Sequence, residues 1–213
     1  VASCLLTPKQ ALERVEEVTD RLQNLAVVGI AGPGDPLANP DQTFETIHLL
    51  NQRFPELITC LSTNGLNLNS YAEEVIGLGV RHLTVTLNTV NPQISKQIYD
   101  WIWFDQVKYT GFDAGELLLH EQLLGIEKMV AAGVRVKINS VMIPGVNDHD
   151  IPNVSSRIKA LGVEIHNVMP LICKPEHDTH FSRIGQREPS YEELNQLRDA
   201  CGVDMKMMRH CRQ

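Results

Sequence analysis

The sequence predicts an α/β fold whose strands run parallel in one sheet, and two observations support that prediction. Apolar runs typical of buried strands alternate at least five times with segments that have helical spacing. Glycine follows most of the predicted helices, as at Gly79, Gly133 and Gly162, where helices commonly end. Because right-handed crossovers connect such strands, they form a parallel sheet that is either open or closed into a barrel.

The first helix is predicted to begin at Pro8. Thr7 is a favoured N-cap residue, and proline is favoured at the first helical position. Apolar residues then recur at steps of three and four. Short apolar runs predict strands over residues 25–30, 56–61 and 82–87. Further helices are predicted over residues 41–54, about 70–78, and onward from Asn91.

The second half continues the alternation. Ser190 predicts a helix N-cap, with Glu192 and Glu193 in its first turn, and this helix runs through Cys201. Residues 101–111 hold both tryptophans and are interpreted as an aromatic insertion without a regular element. The other elements predicted here are helices over 114–132 and 151–161, strands over 134–141, 163–169 and 203–208, and a polar loop over 176–187.

Length and charge limit the function classes. A chain of 213 residues suits one domain, residues 1–213, and its net charge of −7 without a basic stripe argues against nucleic acid as a partner. No apolar run approaches the roughly 20 residues that cross a bilayer, so no membrane partner is expected. No signal peptide opens the sequence, which favours a cytoplasmic protein. Since the chain has no initiator methionine and stops abruptly, we expect the domain to be incomplete at both ends.

Polar residues cluster where the predicted strands end. Gly32 and Gly34 follow the strand over 25–30 and let a ligand approach the main chain closely. Asparagine-rich segments follow the other strands, and the carboxyl ends of parallel strands share one edge of a sheet. The sequence therefore predicts a small-molecule site there. From the residues alone, a rigid turn at Gly32 and an ordinary turn at Asn64–Gly65 remain alternatives.

Several of these segments resemble radical S-adenosylmethionine (SAM) enzymes. They are AGPGDPLANP, LSTNGL, TVTLN and KINSVMIPGVND. Together with NVMPLI, PEH and MRHCRQ, they are most similar to the family members that build the nitrogenase cofactor. The resemblance implies a partial (β/α)6 barrel with a [4Fe–4S] cluster on a Cys-x3-Cys-x2-Cys loop after its first strand. This sequence has no such motif, so we expect the first strand and the cluster loop upstream of Val1.

The resemblance also implies contacts with SAM. Main-chain carbonyls of the turn that begins at Gly32 would bind the methionyl amino group at Gly34, with Asp35 in support, because carbonyls accept hydrogen bonds from an ammonium group. Because Thr86 alternates with Val85 and Leu87 along its strand, its side chain points to the same cleft. The remaining assignments are Thr86 and Asn88 for the ribose or carboxylate, Thr63 and Asn64 beside the cofactor, and Asn139, Val141 and Met169 around the adenine.

The cysteines fall into two groups. Five scattered cysteines do not suggest a secreted disulfide framework, and a strand cysteine is most often a buried thiol. The resemblance instead implies that Cys60 and Cys211 are ligands of two [4Fe–4S] substrate clusters, since thiolates suit iron. Three cysteines stay structural: Cys4, Cys173 and Cys201. His177 and His180 have metal-like spacing, but solvated loop histidines are the commoner case, and His210 is undecided.

The function implied is that of a maturase. It would insert a SAM-derived carbide while two [4Fe–4S] clusters fuse into the [8Fe–9S–C] precursor of the nitrogenase cofactor. Iron–sulfur donors and cofactor carrier or scaffold proteins would be its partners. Two alternatives stay open: another radical SAM maturase or cyclase of the molybdopterin type, and a non-catalytic iron–sulfur scaffold.

Overall fold

A computed structural model describes residues 5–22, 24–174, 176, 178–202 and 205–208. Its helices are α1 Pro8–Arg21, α2 Pro40–Arg53, α3 Ala72–Gly77, α4 Pro92–Ile98, α5 Gly111–Ala131, α6 Ile151–Ala160, α7 His180–Arg183 and α8 Tyr191–Cys201. Its strands are β1 Val27–Ile30, β2 Ile58–Thr63, β3 His82–Thr86, β4 Trp101–Phe104, β5 Val107–Thr110, β6 Arg135–Met142, β7 Ile165–Pro170 and β8 Lys206–Met207. Within this part of the chain, no helix is long and apolar enough to cross a membrane.

The main sheet has the strand order β1-β2-β3-β6-β7-β8. The pairs β1–β2, β2–β3, β6–β7 and β7–β8 are all parallel. Strands β4 and β5 form a separate antiparallel pair. The predicted parallel α/β fold is therefore confirmed.

Backbone contacts divide the chain into two compact units, and the predicted single domain stays a prediction. The first unit comprises the residues up to Val85 together with Glu121–Val136. Helix α2 covers β1 in this unit, because the apolar residues of α2 lie on one face. Its core contains Leu50, Phe54 and Leu57, with these partly buried neighbours: Leu12, Val15, Leu25, Val28 and Ile30.

The second unit comprises Thr86–His120 and the residues from Lys137 onward. Its core joins one face of β6 and β7 to helices α6 and α8. The buried residues in this core are Met142, Ile151, Val168, Leu194, Leu197 and Cys201. Cys201 thus lies among apolar side chains, where burial raises the pKa of its thiol.

The helix caps follow the sequence signals closely. Thr7 and Gln10 form a capping box at α1, and Ser190 and Glu193 form one at α8. Asn91 caps α4 by accepting a hydrogen bond from the amide of Gln93 at 2.9 Å. These local bonds explain why the starts of α1, α4 and α8 could be predicted to within one residue.

Several segments differ from the prediction. Helix α5 begins at Gly111, three residues earlier than expected, and β1 and β7 each begin two residues later than expected. Strand β2 lies two residues later than expected, so Ser62 and Thr63 belong to the strand. The supposed irregular insertion at residues 101–111 is wrong, because β4 and β5 form a regular hairpin there. A short 3-10 helix, Pro36–Ala38, follows Asp35, and α7 interrupts the predicted polar loop.

Candidate functional site

The turn after β1 exposes its main chain. Gly34 adopts φ +83°, and a Cβ built on it would meet no atom within 4 Å. Asp35 caps the 3-10 helix by accepting a hydrogen bond from the amide of Leu37 at 2.9 Å. Because the backbone at Gly34 is unobstructed, a ligand can reach it without displacing a side chain.

A cavity of about 300 Å³ borders the same turn. Its walls come from α1, β1 and α2, and they include Val15, Ile30 and Leu50. Gly32 and Pro33 line it as well. The turn is therefore accessible from the side that α1 and α2 flank.

The Asp35 carboxylate connects the ends of β1 and β2. The hydroxyl of Thr63 donates to both carboxylate oxygens, at 3.0 and 2.9 Å, and the amide of Asn64 donates to Oδ2. Thr63 is only 4% exposed. The structure thus brings three predicted site residues together, but the Asp35 and Thr63 side chains bind protein groups.

Asn64 and Gly65 form the turn that the Asn-Gly pair predicts. The side-chain Oδ1 of Asn64 accepts from the amide of Leu66 at 2.8 Å. The main-chain carbonyl of Asn64 accepts from Gln122 Nε2 at 2.7 Å. Gly65 has φ +83°, and a Cβ there would lie 2.9 Å from Gln122 Cγ and Val85 Cγ1. Only glycine fits this position, which fixes the path of the chain beyond β2.

Cys60 lies in β2 as a half-buried free thiol. Its register partner in β3 is His82, and burial together with the charge of Arg135 lowers the pKa of that imidazole. Cys211, His177, His210 and Cys4 lie outside the described residues. Within the described ranges, no group of three His, Cys, Asp or Glu residues could hold a metal ion. These residues therefore do not supply a site for a [4Fe–4S] cluster by themselves.

In the second unit, asparagines join the ends of β3 and β6. Asn88 Oδ1 accepts from the amide of Val141 at 2.8 Å, while Asn88 Nδ2 donates to the Tyr99 hydroxyl at 2.9 Å. Fully buried Asn147 donates from Nδ2 to the carbonyls of Asn88 and Val141, both at 2.8 Å. Its Oδ1 accepts from the amide of Ile143 at 2.8 Å. Both polar atoms of the Asn88 side chain therefore form hydrogen bonds within the protein.

Tyr99 and Asn147 each have one further property. Burial raises the pKa of Tyr99 to about 12, so its phenol keeps its proton at neutral pH. No sequence signal indicates the partners of Asn147, although its place after Pro144 and Gly145 is typical of a turn asparagine. Thr86 lies half-buried at the end of β3.

The predicted adenine-binding residues share one face of β6 and β7. Asn139 pairs with Asn167 and Val141 with Met169 in the strand register. Asn167 Nδ2 donates to Asn139 Oδ1 at 3.0 Å, whereas the buried Asn167 Oδ1 has no partner among the described residues. Half-buried Val141 and Met169 offer apolar contacts two residues further along. An apolar surface beside an unpaired acceptor fits a nucleoside, which combines an apolar ring with hydrogen-bond donors.

The opposite face of these strands carries a buried histidine that the sequence analysis missed. His166 Nε2 lies 2.9 Å from Ser140 Oγ, and Nδ1 lies 2.7 Å from Ser155 Oγ. Since the Ser140 hydroxyl donates to the carbonyl of Leu87, Nε2 is the protonated nitrogen and Nδ1 accepts from Ser155. Burial lowers the pKa of His166 to about 4. His166 therefore joins β7 to β6 and α6 as a neutral side chain.

The sequence matches the family model of the radical SAM superfamily over residues 5–158. The chain therefore belongs to the radical SAM superfamily, as its strand-end motifs predict. The fold is similar to the structure of native anSMEcpe with bound AdoMet, with a TM-score of 0.53 and 15% sequence identity. The matched region covers 79% of this chain and 44% of that chain. This likeness concerns the fold alone.

Within the superfamily, the chain is similar to the FeMo cofactor biosynthesis protein NifB. It is 50% identical to that protein of Klebsiella pneumoniae and 47% identical to that of Azotobacter vinelandii, in both cases over 213 residues and 100% of this chain. The chain spans 46% and 42% of those relatives. It thus corresponds to less than half of their length.

Proposed function

We propose that the chain is the SAM-binding part of a maturase of the nitrogenase cofactor. The observation that carries this proposal is the 50% identity to a NifB protein, which extends over all 213 residues. The proposed reaction inserts a SAM-derived carbide while two [4Fe–4S] substrate clusters fuse into an [8Fe–9S–C] precursor. Lyase-type chemistry, cluster donors, carrier or scaffold proteins and a cytoplasmic location belong to this proposal.

Membership of the superfamily implies SAM and a [4Fe–4S] cluster as cofactors. The 213 residues contain no Cys-x3-Cys-x2-Cys motif. We therefore assign the ligands of that cluster to a segment outside these residues. The chain's own contribution is to bind and orient SAM and one side of the substrate.

For the first unit, we propose that the main-chain carbonyls at Gly32 and Gly34 accept hydrogen bonds from the SAM amino group. The open backbone at Gly34 supports this assignment. An array of carbonyls binds an ammonium group without a charged side chain. When bound, SAM supplies the carbon and the radical chemistry of the reaction.

For the second unit, we propose that Val141 and Met169 flank the adenine. Asn139 and Thr86 remain proposed contacts of the nucleoside. The unpaired Oδ1 of Asn167, which the sequence analysis overlooked, adds an acceptor on the face that carries Asn139. Asn88 acts differently in this proposal, because its side chain holds the amide of Val141.

The test is anaerobic reconstitution, with iron and sulfide, of a longer polypeptide that contains this chain and a Cys-x3-Cys-x2-Cys segment. We expect 5′-deoxyadenosine on reduction, and clusters for both the cofactor and the substrate sites. A product whose iron–sulfur core contains carbon from isotopically labelled SAM methyl groups would support the maturase. SAM cleavage without carbon transfer would favour another radical SAM reaction, and no cleavage would favour a scaffold.

A further inference from the structure

Three protein donors engage the side chain of Asp35. Its carboxylate accepts hydrogen bonds from the amide of Leu37, the hydroxyl of Thr63 and the amide of Asn64. A carboxylate offers about four acceptor positions, and the Thr63 hydroxyl spans both oxygens. The side chain therefore serves the protein, although Asp35 lies in the turn proposed to bind SAM.

Thr63 extends this connection to the second turn. Its hydroxyl donates to Asp35 and accepts from the amide of Gly65 at 3.0 Å. Since Thr63 is 4% exposed, its hydroxyl serves groups within the protein. Gln122 fixes the same turn from α5 through the carbonyl of Asn64. The ends of β1 and β2 are thus held in one fixed relation.

We propose that Asp35 and Thr63 are positioning residues that set the main-chain geometry of the Gly32–Gly34 turn for SAM. This inference rests on the proposed function, because it concerns the amino-group contacts of the same turn. Hydrogen bonds to a carboxylate are stronger than neutral ones, so these bonds hold the turn in the conformation that binds SAM. SAM affinity therefore depends on a buried hydroxyl that does not touch SAM.

The variant Thr63→Val tests this dependence in the reconstituted longer polypeptide. We expect the Kd for SAM to rise by about tenfold or more, because a turn that Thr63 no longer holds must be ordered when SAM binds. At saturating SAM, the rate of 5′-deoxyadenosine formation should stay within about threefold of the unchanged protein. Thr63→Ser keeps the donor and should restore the affinity.

Thr59→Val is the matched control. Thr59 lies four residues earlier on the same face of β2 and is 6% exposed. Thr59→Val makes the same substitution in a similarly buried environment, near the amino end of β2 and away from the turn that follows the strand. If Thr59→Val weakens SAM binding as much as Thr63→Val does, a general loss of strand stability explains both results and the proposal falls.

Amide hydrogen exchange gives a readout that needs no SAM. Thr63→Val should accelerate exchange at Leu37 by about tenfold, although Thr63 reaches Leu37 only through Asp35. Unchanged exchange at Leu37 would overturn the coupling of the two turns. Faster exchange with unchanged SAM affinity would overturn the positioning role.

A second variant covers the case in which Thr63→Val does not fold. Asp35→Asn has nearly the same shape but cannot accept from the amide of Asn64 with its Nδ2 group. It should show the same rise in Kd and faster exchange at Asn64. If the unchanged protein binds no SAM, the proposed function fails, and the exchange data still decide whether the turns are coupled.

Discussion

Individual polar side chains hold the strand ends of this protein together. Asp35 joins two strand ends in the first unit, and Asn147 joins two in the second. The Asp35 carboxylate accepts hydrogen bonds from a hydroxyl and from backbone amides, and the Asn147 side-chain amide donates to two backbone carbonyls. The turns that carry the proposed SAM contacts are therefore rigid before any ligand binds, which lowers the entropic cost of binding.

His166 predicts a loss of stability in mild acid. Its folded-state pKa of about 4 lies below the ordinary 6.5, so the unfolded state binds a proton first as pH falls. The contribution of the neutral His166 to the free energy of unfolding is fully present above pH 6.5. It is lost as the pH falls from 6.5 to 4, and the total loss is about 3 kcal/mol. Unfolding in urea at several pH values measures this loss.

A direct control for His166 is its NMR titration in the folded protein. The imidazole should stay neutral, with Nε2 protonated, down to about pH 5. His166→Gln should flatten the dependence of the unfolding free energy on pH in this range. A titration midpoint near 6.5 would contradict the assignment of a neutral buried histidine.

Cys60→Ala is expected to remove one substrate cluster. The thiolate of Cys60 is the proposed ligand, whereas the radical cluster is assigned to other cysteines. Iron content and the electron paramagnetic resonance spectrum of the reconstituted longer polypeptide measure this loss. Cys173→Ala is the matched control, because Cys173 is also a half-buried free thiol. Unchanged iron content in Cys60→Ala would show that Cys60 is structural.

The sequence predicts the residue types at the site better than their bonds. The Asn64–Gly65 turn could be predicted, because asparagine and glycine favour such turns locally. Asn147 and Asn88 lie 59 residues apart, and their bond depends on how the strands align. His166 gave no signal of its own, since an isolated histidine in a strand does not reveal its partners.

At the scale of elements, local signals decided which predictions succeeded. The starts of α1 and α8, which have capping boxes, were predicted to within one residue, whereas α7 was missed although Thr179 caps it. The β4–β5 hairpin was missed, because Asp105 and Gln106 form its turn at positive φ without a glycine. Its two tryptophans also suggested an irregular aromatic segment, although alternation places both on one face.

The two faces of the hairpin should contribute very differently to stability. Ile102 is 7% exposed, so Ile102→Ala should lower the free energy of unfolding by about 2–4 kcal/mol. Trp103 is 58% exposed on the opposite face, so Trp103→Ala should cost less than about 1 kcal/mol. Thermal unfolding of the two variants measures the difference. Equal losses would mean that the tryptophan face is covered.

At the scale of the whole molecule, the chain corresponds to one part of its relatives. The identity to NifB covers all of this chain but less than half of the relatives. The parallel α/β fold could be predicted from alternation alone. The choice between an open sheet and a barrel required the family resemblance, because periodicity does not encode how a sheet closes.

The 213-residue chain is therefore expected not to cleave SAM when it is reconstituted alone. It lacks the Cys-x3-Cys-x2-Cys motif that holds the radical cluster in this family. Chromatography of the reduced reaction mixture should show no 5′-deoxyadenosine, while the longer polypeptide produces it. Production by the 213 residues alone would mean that other ligands hold the radical cluster.

The turn at Asn64–Gly65 also bears on how this protein ages chemically. Asn-Gly pairs deamidate readily when the glycine nitrogen attacks the asparagine side-chain carbonyl, expels ammonia and closes a succinimide ring. Water then opens this ring to give aspartate or isoaspartate. Here the amide of Gly65 is bonded to Thr63 Oγ1, and Asn64 Oδ1 is held by the amide of Leu66. The folded turn therefore protects the asparagine, and isoaspartate at this position marks molecules that have unfolded.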